Sequence, residues 1–513
     1  MRHGHAGTHL STQDLRRAEA AAQDAADPLA GFAREFHHPH DTQGRKLLYF
    51  GGHSLGLQPK SVAGMIEEEL ADWRRLGVLG HHEATRPWIP YHERAAPALA
   101  ELAGALDGEV VAMNSLTVNL HLMMVSFFRP DSTRNTVLIE SSAFPSDRYA
   151  VESQLEFHGL TPSQNLIEVQ PRAGERTLRT EDMIERIERE GSRLSLVLLP
   201  GVQYLTGQSF DMEALIGAAR RAGARVGVDL AHAIGNTPLQ LHDWSPDFAV
   251  WCSYKYLNAG PGAVGGCFVH ERHARNVKPR FAGWWGHNKA ERFLYDPKFD
   301  PIDGAQGWQI SNPPILSTAP LLASLEIFQR AGMTALRNKS IALTGFMQRL
   351  IEERLPTDVE MITPKDPEQR GCQLSLRIAR PAALAKRCLE QLAAAGVIGD
   401  WREPDVLRLA PIPLYNSFAD VFAAVDILAR TIRALSPCSA SSAQGQPARC
   451  SPFSWRGADS PSRCTKRVPI PDRCPPTRAD PSIWPWPIAA YMPSRRPASS
   501  RPWVHLSCPC AAG

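Results

Sequence analysis

Hydrophobic and polar positions along residues 12–435 alternate between a helical period and short apolar runs. Residues 181–190 (EDMIERIERE) place their apolar side chains on one face, as an amphipathic helix does. Residues 194–199 (LSLVLL) are almost wholly apolar and stop at Pro200, the pattern of a strand that is buried on both faces. The pattern therefore predicts buried strands separated by surface helices.

The alternation continues beyond that pair. Residues 211–222 return to the helical period with Asp211 as the expected N-cap, and three more strands are predicted at residues 225–230, 248–253 and 266–270. This order implies right-handed crossovers and a mostly parallel sheet covered by helices, an α/β fold. Ligands bind such a sheet beyond the carboxyl ends of its strands.

The pattern changes after Pro313-Pro314, and it predicts a smaller α+β domain. Its helices are expected at residues 318–331, 333–352, 381–395 and 420–435, and its strands at residues 372–378 and 407–411. We expect a large domain over residues 60–317, a small C-terminal domain over residues 318–436, and an N-terminal segment, residues 1–59, that joins the small domain.

Residues 437–513 have a different composition, with fifteen prolines, three glycines and no apolar periodicity. Such a segment does not form a packed domain, so we expect a disordered extension; read-through of non-native coding sequence is the alternative. The tail holds ten Lys/Arg and three Asp/Glu, so the formal net charge of +3 becomes −4 without it. A mildly acidic body gives no electrostatic reason to expect nucleic acid.

Cysteine usage and hydropathy indicate which cellular compartment to expect. Four cysteines (Cys252, Cys267, Cys372 and Cys388) are expected to be buried structural thiols, and the six in the tail are irregularly spaced, so no metal site is predicted. No apolar run reaches the ~18 residues of a membrane-spanning helix, and the N-terminus does not have a secretory pattern. We expect a cytoplasmic protein without a membrane partner.

A lysine and an aspartate carry the candidate chemistry. Asp229 ends one predicted strand, and Lys255 follows the next one, between a buried run and a glycine-rich turn. A lysine held in an apolar cleft can form a Schiff base, and a carboxylate beside a pyridine nitrogen keeps the ring protonated. The glycine-rich residues 259–266 (AGPGAVGG) are a weak dinucleotide signal because they open no helix; we interpret them as a tight turn around the lysine.

From about Phe32 to Leu435 the chain resembles the kynureninase family, in the family's order. The matching stretches are residues 49–60 (YFGGHSLGLQPK), 113–121 (MNSLTVNLH), 143–155 (AFPSDRYAVESQL), 228–236 (VDLAHAIGN), 252–262 (CSYKYLNAGPG), 283–287 (GWWGH), 310–314 (ISNPP), 368–375 (EQRGCQLS) and 410–418 (APIPLYNSF). The resemblance implies a fold-type-I pyridoxal 5′-phosphate (PLP) domain of the aminotransferase superfamily, with a mostly parallel seven-stranded sheet and a smaller α+β domain.

The resemblance also implies an activity and an assembly. The expected reaction is hydrolysis of L-kynurenine to anthranilate and L-alanine, in tryptophan catabolism and NAD biosynthesis, with 3-hydroxy-L-kynurenine as an alternative substrate. Lysine freed from the cofactor would remove the α-proton of the substrate, water would add to the γ-carbonyl, and the Cβ–Cγ bond would break. A homodimer with shared active sites is expected.

Residue roles follow position by position from the same resemblance. Lys255, Tyr254 and Asp229 are the implied catalytic residues, with Lys255 in the Schiff base, Asp229 at the pyridinium nitrogen and Tyr254 in later proton transfers. Cofactor contacts are implied for Leu116, Thr117, Phe144, Pro145, Ser146, Asp147, Asp229, His232, Tyr254, Lys255, Asn312 and Trp284, the last arriving from the second subunit. Substrate contacts are implied for Arg408, which would bind the α-carboxylate, and for His81, Ser54, Ser311 and Asn312.

Two positions depart from the family pattern. Pro200 stands where relatives often have Ser, which removes a hydroxyl contact but keeps Pro200 a candidate for the site. His53 stands where relatives have Asn in a GNSLG motif, a change that bears on the preference for kynurenine or its 3-hydroxy form.

Competing interpretations stay open at this point. Phe144 as ordinary core, Trp284 as dimer packing, His232 as a core histidine and Arg408 as a surface ion pair are the structural alternatives. Transamination shares the early chemistry, whereas cysteine desulfuration needs a mobile nucleophilic cysteine and the body has none in a suitable loop. A non-catalytic interaction protein that works through its tail is the third alternative.

Overall fold

Two larger β-sheets and one two-stranded pair organise the computed structural model, which describes residues 11–275, 279–294 and 298–435. In chain order the strands are β1 (Leu48–Tyr49), β2 (Val110–Ala112), β3 (Thr136–Glu140), β4 (Leu166–Val169), β5 (Leu194–Pro200), β6 (Arg225–Asp229), β7 (Phe248–Cys252), β8 (Gly265–Val269), β9 (Val359–Met361), β10 (Leu374–Ile378), β11 (Val397–Ile398), β12 (Asp400–Arg402) and β13 (Val406–Leu409). The predicted tail, residues 437–513, lies outside the described residues.

Along the chain, helices lie between many of these strands, and a helix precedes the first strand and follows the last. In chain order they are α1 (Thr12–Ala26), α2 (Ser61–Leu76), α3 (Gly80–Glu83), α4 (Ala96–Ala103), α5 (Leu116–Phe127), α6 (Pro145–Phe157), α7 (Pro162–Asn165), α8 (Thr180–Glu190), α9 (Met212–Arg221), α10 (Leu241–Trp244), α11 (Ile315–Ala331), α12 (Met333–Arg354), α13 (Ala382–Ala394) and α14 (Phe418–Leu435). Asp211 is the N-cap of α9, as predicted, and its carboxylate accepts the backbone N–H of Ala214 at 3.0 Å.

The central sheet has the strand order β2-β8-β7-β6-β5-β3-β4. Strands β3 to β7 pair in parallel, while β8 runs antiparallel to both β2 and β7. The α/β expectation with a mostly parallel sheet is confirmed. The direction of β8 was not predicted, because an apolar run reads the same in both directions.

Both faces of this sheet are buried, which explains its uninterrupted apolar runs. Along β5, Leu196 and Leu198 pack into one hydrophobic cluster, and Val197 and Leu199 pack into another on the opposite face. Successive side chains of a strand point to opposite faces, so both sets must be apolar when helices cover both sides. Polar residues are thereby left to the strand ends.

An antiparallel sheet of order β12-β13-β10-β9 lies in the C-terminal part and packs with α12, α13 and α14 around a core of its own. The N-terminal segment reaches this part, since β1 pairs in parallel with β11 and Asp24 of α1 accepts the backbone N–H of Phe418 at 2.7 Å. The domain boundaries at residues 59/60 and 317/318 stay predictions. Over the described ranges, no helix combines the length and the apolar character that a membrane crossing requires.

Candidate active site

Four parallel strands end at one cleft. Glu140, Pro200, Asp229 and Cys252 are the last residues of β3, β5, β6 and β7, and all four line it. We call this space the inner cleft; its lining residues are Leu116, Thr117, Glu140, Phe144, Ser146, Asp147, Pro200, Val202, Tyr204, Asp229, Ala231, His232, Cys252, Tyr254 and Lys255. The free volume within it is about 160 Å³.

Lys255 is buried in this cleft, with 9% of its surface exposed. Its Nζ lies 3.1 Å from Nε2 of His232 and 5.6 Å from the centre of the Phe144 ring. Burial and the Lys255 charge hold the pKa of His232 well below its usual range, so the imidazole is neutral. The lysine is therefore held by one neutral nitrogen and leaves its other hydrogen-bonding capacity for a ligand.

The turn that carries Lys255 is held by a glycine of another segment. Gly56, in the GHSLG stretch, donates its N–H to the carbonyl of Tyr254 at 2.9 Å. A Cβ at residue 56 would lie 2.4 Å from the Lys255 carbonyl oxygen and 2.3 Å from Oδ1 of Asn258, so only glycine fits there. The stretch at residues 51–56 and the lysine turn are thus packed as one unit.

Three carboxyl groups meet at the floor of the inner cleft. Asp229 accepts the backbone N–H of Ala231 at 2.7 Å, and burial together with the Asp229 charge raises the pKa of Asp147 well above its usual range. Burial also raises the pKa of Glu140 well above its usual range. Oδ1 of Asp147 has no hydrogen-bond partner among the described residues. Acids crowded in this way favour a cationic ligand, and a protonated pyridine nitrogen is such a group.

Two hydroxyl groups meet on another wall of the cleft. Thr117 is in the first turn of α5 and Ser146 is in the first turn of α6, and their hydroxyl oxygens are 2.7 Å apart. Both groups therefore lie beside helix N-termini, where unpaired N–H groups and the helix dipole favour an anion such as a phosphate. The cleft thus combines a lysine amine, an acid cluster and an anion-binding wall, and these residues fit PLP.

Seven predicted residues do not line the inner cleft, among them Pro145 and Arg408. We call the other five the outer group: Ser54, His81, Trp284, Ser311 and Asn312. Ser54, Ser311 and Asn312 are exposed, His81 is half-buried against Trp88, and Trp284 is 49% exposed. Ser311 and Asn312 line a second cleft, and Tyr254 lines both clefts. Their predicted roles stay predictions.

Arg408 is buried on β13, so the alternative of a surface ion pair is wrong. Its Nη2 lies 2.7 Å from Asp400 Oδ2, and its Nη1 donates to the Tyr204 carbonyl at 2.7 Å. Among the described residues nothing accepts a hydrogen bond from its Nε. The guanidinium is therefore oriented by two partners and retains a buried donor for a ligand.

His53 is fully buried near the Arg408 guanidinium. Its ring centre lies 6.5 Å from that of His232, and neither of its ring nitrogens makes a hydrogen bond within the part of the chain that the structure describes. Burial and then the Arg408 charge lower its pKa well below the usual range. Buried polar groups are usually hydrogen-bonded, so His53 is an unsatisfied group within the described residues.

Sequence reasoning did not predict five residues of the cleft wall: Glu140, Val202, Tyr204, Ala231 and Cys252. Glu140 and Cys252 had a signal, because each ends a buried strand on the ligand side of a parallel sheet. The four cysteines within the described ranges are all buried and free, as expected, and burial raises the pKa of the Cys252 thiol. Pro145, by contrast, was predicted but does not line the cleft; it begins α6.

Comparison with known proteins decides the family. Residues 336–428 match the family model described as the kynureninase C-terminal domain. A kynureninase of Xanthomonas axonopodis pv. citri is 54% identical over 415 residues, which cover 81% of this chain and 98% of the relative. The chain belongs to the kynureninase family. A kynureninase of Xanthomonas oryzae pv. oryzae is 55% identical over 410 residues, 80% of this chain and 97% of that relative.

Solved structures of much lower identity share the fold with this member of the kynureninase family. A C-DES mutant with glycine covalently linked to the PLP cofactor superposes with a TM-score of 0.64 at 18% identity, over 75% of this chain and 96% of that one. The cysteine desulfurase CsdA of Escherichia coli gives a TM-score of 0.63 at 17% identity, over 79% and 98% of the two chains. The predicted fold-type-I architecture is confirmed.

Proposed function

We propose that this chain is a PLP-dependent hydrolase that cleaves L-kynurenine to anthranilate and L-alanine, a reaction of tryptophan catabolism. The observation that carries the proposal is the buried Lys255 amine in a cleft whose acid cluster contains Asp229 and Asp147. Membership of the kynureninase family supports the substrate, since its members at 54–55% identity match 97–98% of their length to this chain.

The residues of the inner cleft suit the parts of PLP. Lys255 would hold the aldehyde carbon, Asp229 the ring nitrogen, and Thr117 with Ser146 the phosphate, while Phe144 would cover the ring. When bound, PLP supplies an electron sink that stabilises negative charge at the substrate α-carbon. Pro200 lines the cleft and contributes to its shape, but it offers no hydroxyl contact.

Proton movement is assigned to two residues. The Lys255 Nζ, once free, takes the proton from the α-carbon of the substrate, and the neutral His232 at 3.1 Å keeps this amine pointed into the cleft. Burial raises the pKa of the Tyr254 phenol above its usual range, so the phenol keeps its proton at neutral pH and can donate it to the alanine fragment. Water supplies the oxygen that anthranilate carries away.

Substrate binding is assigned to the buried arginine and the outer group. Arg408 binds the α-carboxylate with the donors that Asp400 and Tyr204 leave over. Ser54, His81, Ser311 and Asn312 contact the aryl end, and Trp284 reaches the cofactor of a second copy. The proposal includes a cytoplasmic homodimer with shared sites and a role in NAD biosynthesis.

The reaction is tested on the purified full-length chain loaded with PLP. Anthranilate release from L-kynurenine, measured by fluorescence, is expected without any keto acid. Amino transfer that depends on a keto acid, or sulfide release from cysteine without anthranilate, would replace the proposal with a transaminase or a desulfurase. Cys252 lines the cleft, but it is fixed at the end of β7 and burial raises its pKa, so the geometry does not favour a persulfide-forming thiol.

Shared sites are tested by mixing two weak variants. Lys255→Ala and Trp284→Ala are dissociated and reassociated together, and if each site uses Lys255 of one copy and Trp284 of the other, hybrids regain up to about a quarter of the original activity. Mixtures that stay as inactive as their components would show that Trp284 serves its own chain.

A further inference from the structure

A three-residue cluster lies at the edge of the central sheet opposite the inner cleft. Glu109 immediately precedes β2, His242 is in α10 and His270 immediately follows β8. Strands β2 and β8 are antiparallel, so the start of one meets the end of the other, whereas their opposite ends lead toward Leu116 and Cys252 of the inner cleft. Within the described ranges this is the group whose His, Cys, Asp or Glu atoms could converge on a metal ion, all within 4.8 Å.

The distances in the cluster match those of a small coordination site. Glu109 Oε1 lies 3.2 Å from Nδ1 of His242 and 3.7 Å from Nδ1 of His270. With metal–ligand bonds of about 2.0–2.2 Å in a tetrahedron, neighbouring ligand atoms are about 3.4 Å apart. The two Glu109 distances lie close to this value, and all three ligand atoms lie within 4.8 Å of one another, so one ion would draw the two imidazoles together by up to about 1.4 Å.

The carboxylate is held in place before any ion binds. Glu109 is 1% exposed, and its two oxygens accept the backbone N–H groups of Glu271 and Leu106, each at 2.8 Å. Such supporting hydrogen bonds orient a ligand and leave further lone pairs free for a cation. His242 is partly exposed, so solvent reaches the cluster from its side.

Two contacts oppose an ion. Nδ1 of His270 accepts the backbone N–H of Arg272 at a long 3.2 Å, and this bond would be given up or the ring would turn. The Arg272 guanidinium is also close enough to interact with His270, although it is paired with Asp247 at 3.1 Å. A hydrogen bond between Glu109 and His242 would explain why these two side chains lie close together, but it would not explain why His270 lies beside them.

We propose that Glu109, His242 and His270 form a binding site for a divalent transition-metal ion of the zinc class, with water as the fourth ligand. Two imidazoles and one carboxylate are the ligands that such ions prefer, and the partial exposure of His242 leaves the open position. The ion would link the β2–β8 edge of the sheet to α10. Sequence spacing could not show the site, because the ligands come from three separate elements.

The test uses the PLP-loaded full chain and Co²⁺ as the probe, because four-coordinate Co²⁺ absorbs visible light. One equivalent of Co²⁺ is expected to give a ligand-field difference spectrum that is lost in His242→Gln and kept in His37→Gln, an exposed histidine outside the cluster. All variants retain the tail cysteines, so binding there appears equally in each. His242→Cys is expected to keep the binding and to add a thiolate-to-metal charge-transfer band.

Zinc stability measurements give a second readout. Zn²⁺ is expected to raise the Tm of the unaltered chain and of His37→Gln but not that of His242→Gln, whose affinity should be more than about tenfold weaker. The proposal is overturned if the unaltered chain gives no Co²⁺ spectrum, if the spectrum of His242→Gln equals that of the unaltered chain, or if His242→Cys shows no charge-transfer band beyond that of the unaltered chain. Kynurenine turnover is measured separately, so its loss would concern the proposed function and leave the metal site intact.

Discussion

The inner cleft and the outer group differ in how far a single chain completes them. The inner cleft is walled by strand ends, and within it Lys255 contacts His232 and Thr117 contacts Ser146. The outer group lies on exposed or half-buried positions, with Trp284 about half exposed. A parallel sheet brings the ends of its strands to one place by its own topology, whereas the outer-group residues lie on separate segments and are more exposed to solvent. The comparison thus predicts that cofactor binding depends mainly on the inner cleft, whereas recognition of the aryl end of the substrate depends on the outer-group residues other than Trp284.

Lys255→Ala should have the largest effect. The variant loses both the covalent anchor and the group that moves the α-proton, so kcat should fall by more than about 10⁴-fold. The absorbance of the lysine-bound cofactor should disappear, because no other lysine lines the inner cleft among the described residues. If turnover and this absorbance both survived, Lys255 would not be the residue that holds the cofactor, and the contrast between the inner cleft and the outer group would fail.

Asp229→Asn should come next. The amide keeps the size of the side chain but removes the charge that favours a protonated ring, so kcat should fall by about 10²–10³-fold while the fold is kept. A red- or blue-shifted cofactor spectrum and a weaker PLP Kd are the accompanying readouts. A normal kcat would mean that Asp147 or Glu140 can supply the charge instead.

His81→Ala probes the outer group and should behave differently. The half-buried ring packs edge to face on Trp88, 5.6 Å between centres, and is assigned to the aryl end of the substrate. We expect the KM for kynurenine to rise about tenfold with the cofactor spectrum unchanged. Loss of cofactor in this variant would show that the two regions are not separable.

His53→Asn tests the boundary between the regions. The fully buried ring is replaced by the shorter side chain that the family resemblance implies at this position, which leaves room and an amide for an additional hydroxyl group. The ratio of kcat/KM for 3-hydroxykynurenine to that for kynurenine should rise about threefold. An unchanged ratio would remove residue 53 from the determinants of substrate preference.

The sequence predicted the inner cleft better than the outer group for a physical reason. Asp229 ends one buried strand and Lys255 follows another. Buried strands can be recognised in a sequence as apolar runs, so these two residues could be expected to lie close together. Glu140 ends a strand in the same way and could have been included. The antiparallel direction of β8 and the packing of Tyr204 against the cleft depend on tertiary contacts that leave no local pattern. Residue-by-residue roles from the family resemblance stay predictions.

Asp147→Asn should have the smallest effect, and it tests whether the acid cluster is built for a cationic ligand. Burial and Asp229 raise the folded-state pKa of Asp147 above the 3.8 of an unstructured aspartate, so the folded chain holds this proton when the unfolded chain has lost it. The contribution of Asp147 to stability therefore falls as the pH rises from 3.8 through the raised value. Asparagine cannot ionise, so at pH 8 the cofactor-free variant should melt about 2 °C above the cofactor-free unaltered chain, and the gap should close toward pH 4. Asp107→Asn at the surface is the matched control for differential scanning fluorimetry. A gap of the same size at both pH values would mean that burial and the Asp229 charge do not destabilise the ionised carboxylate of Asp147. The argument that the cleft prefers a cation would then fail.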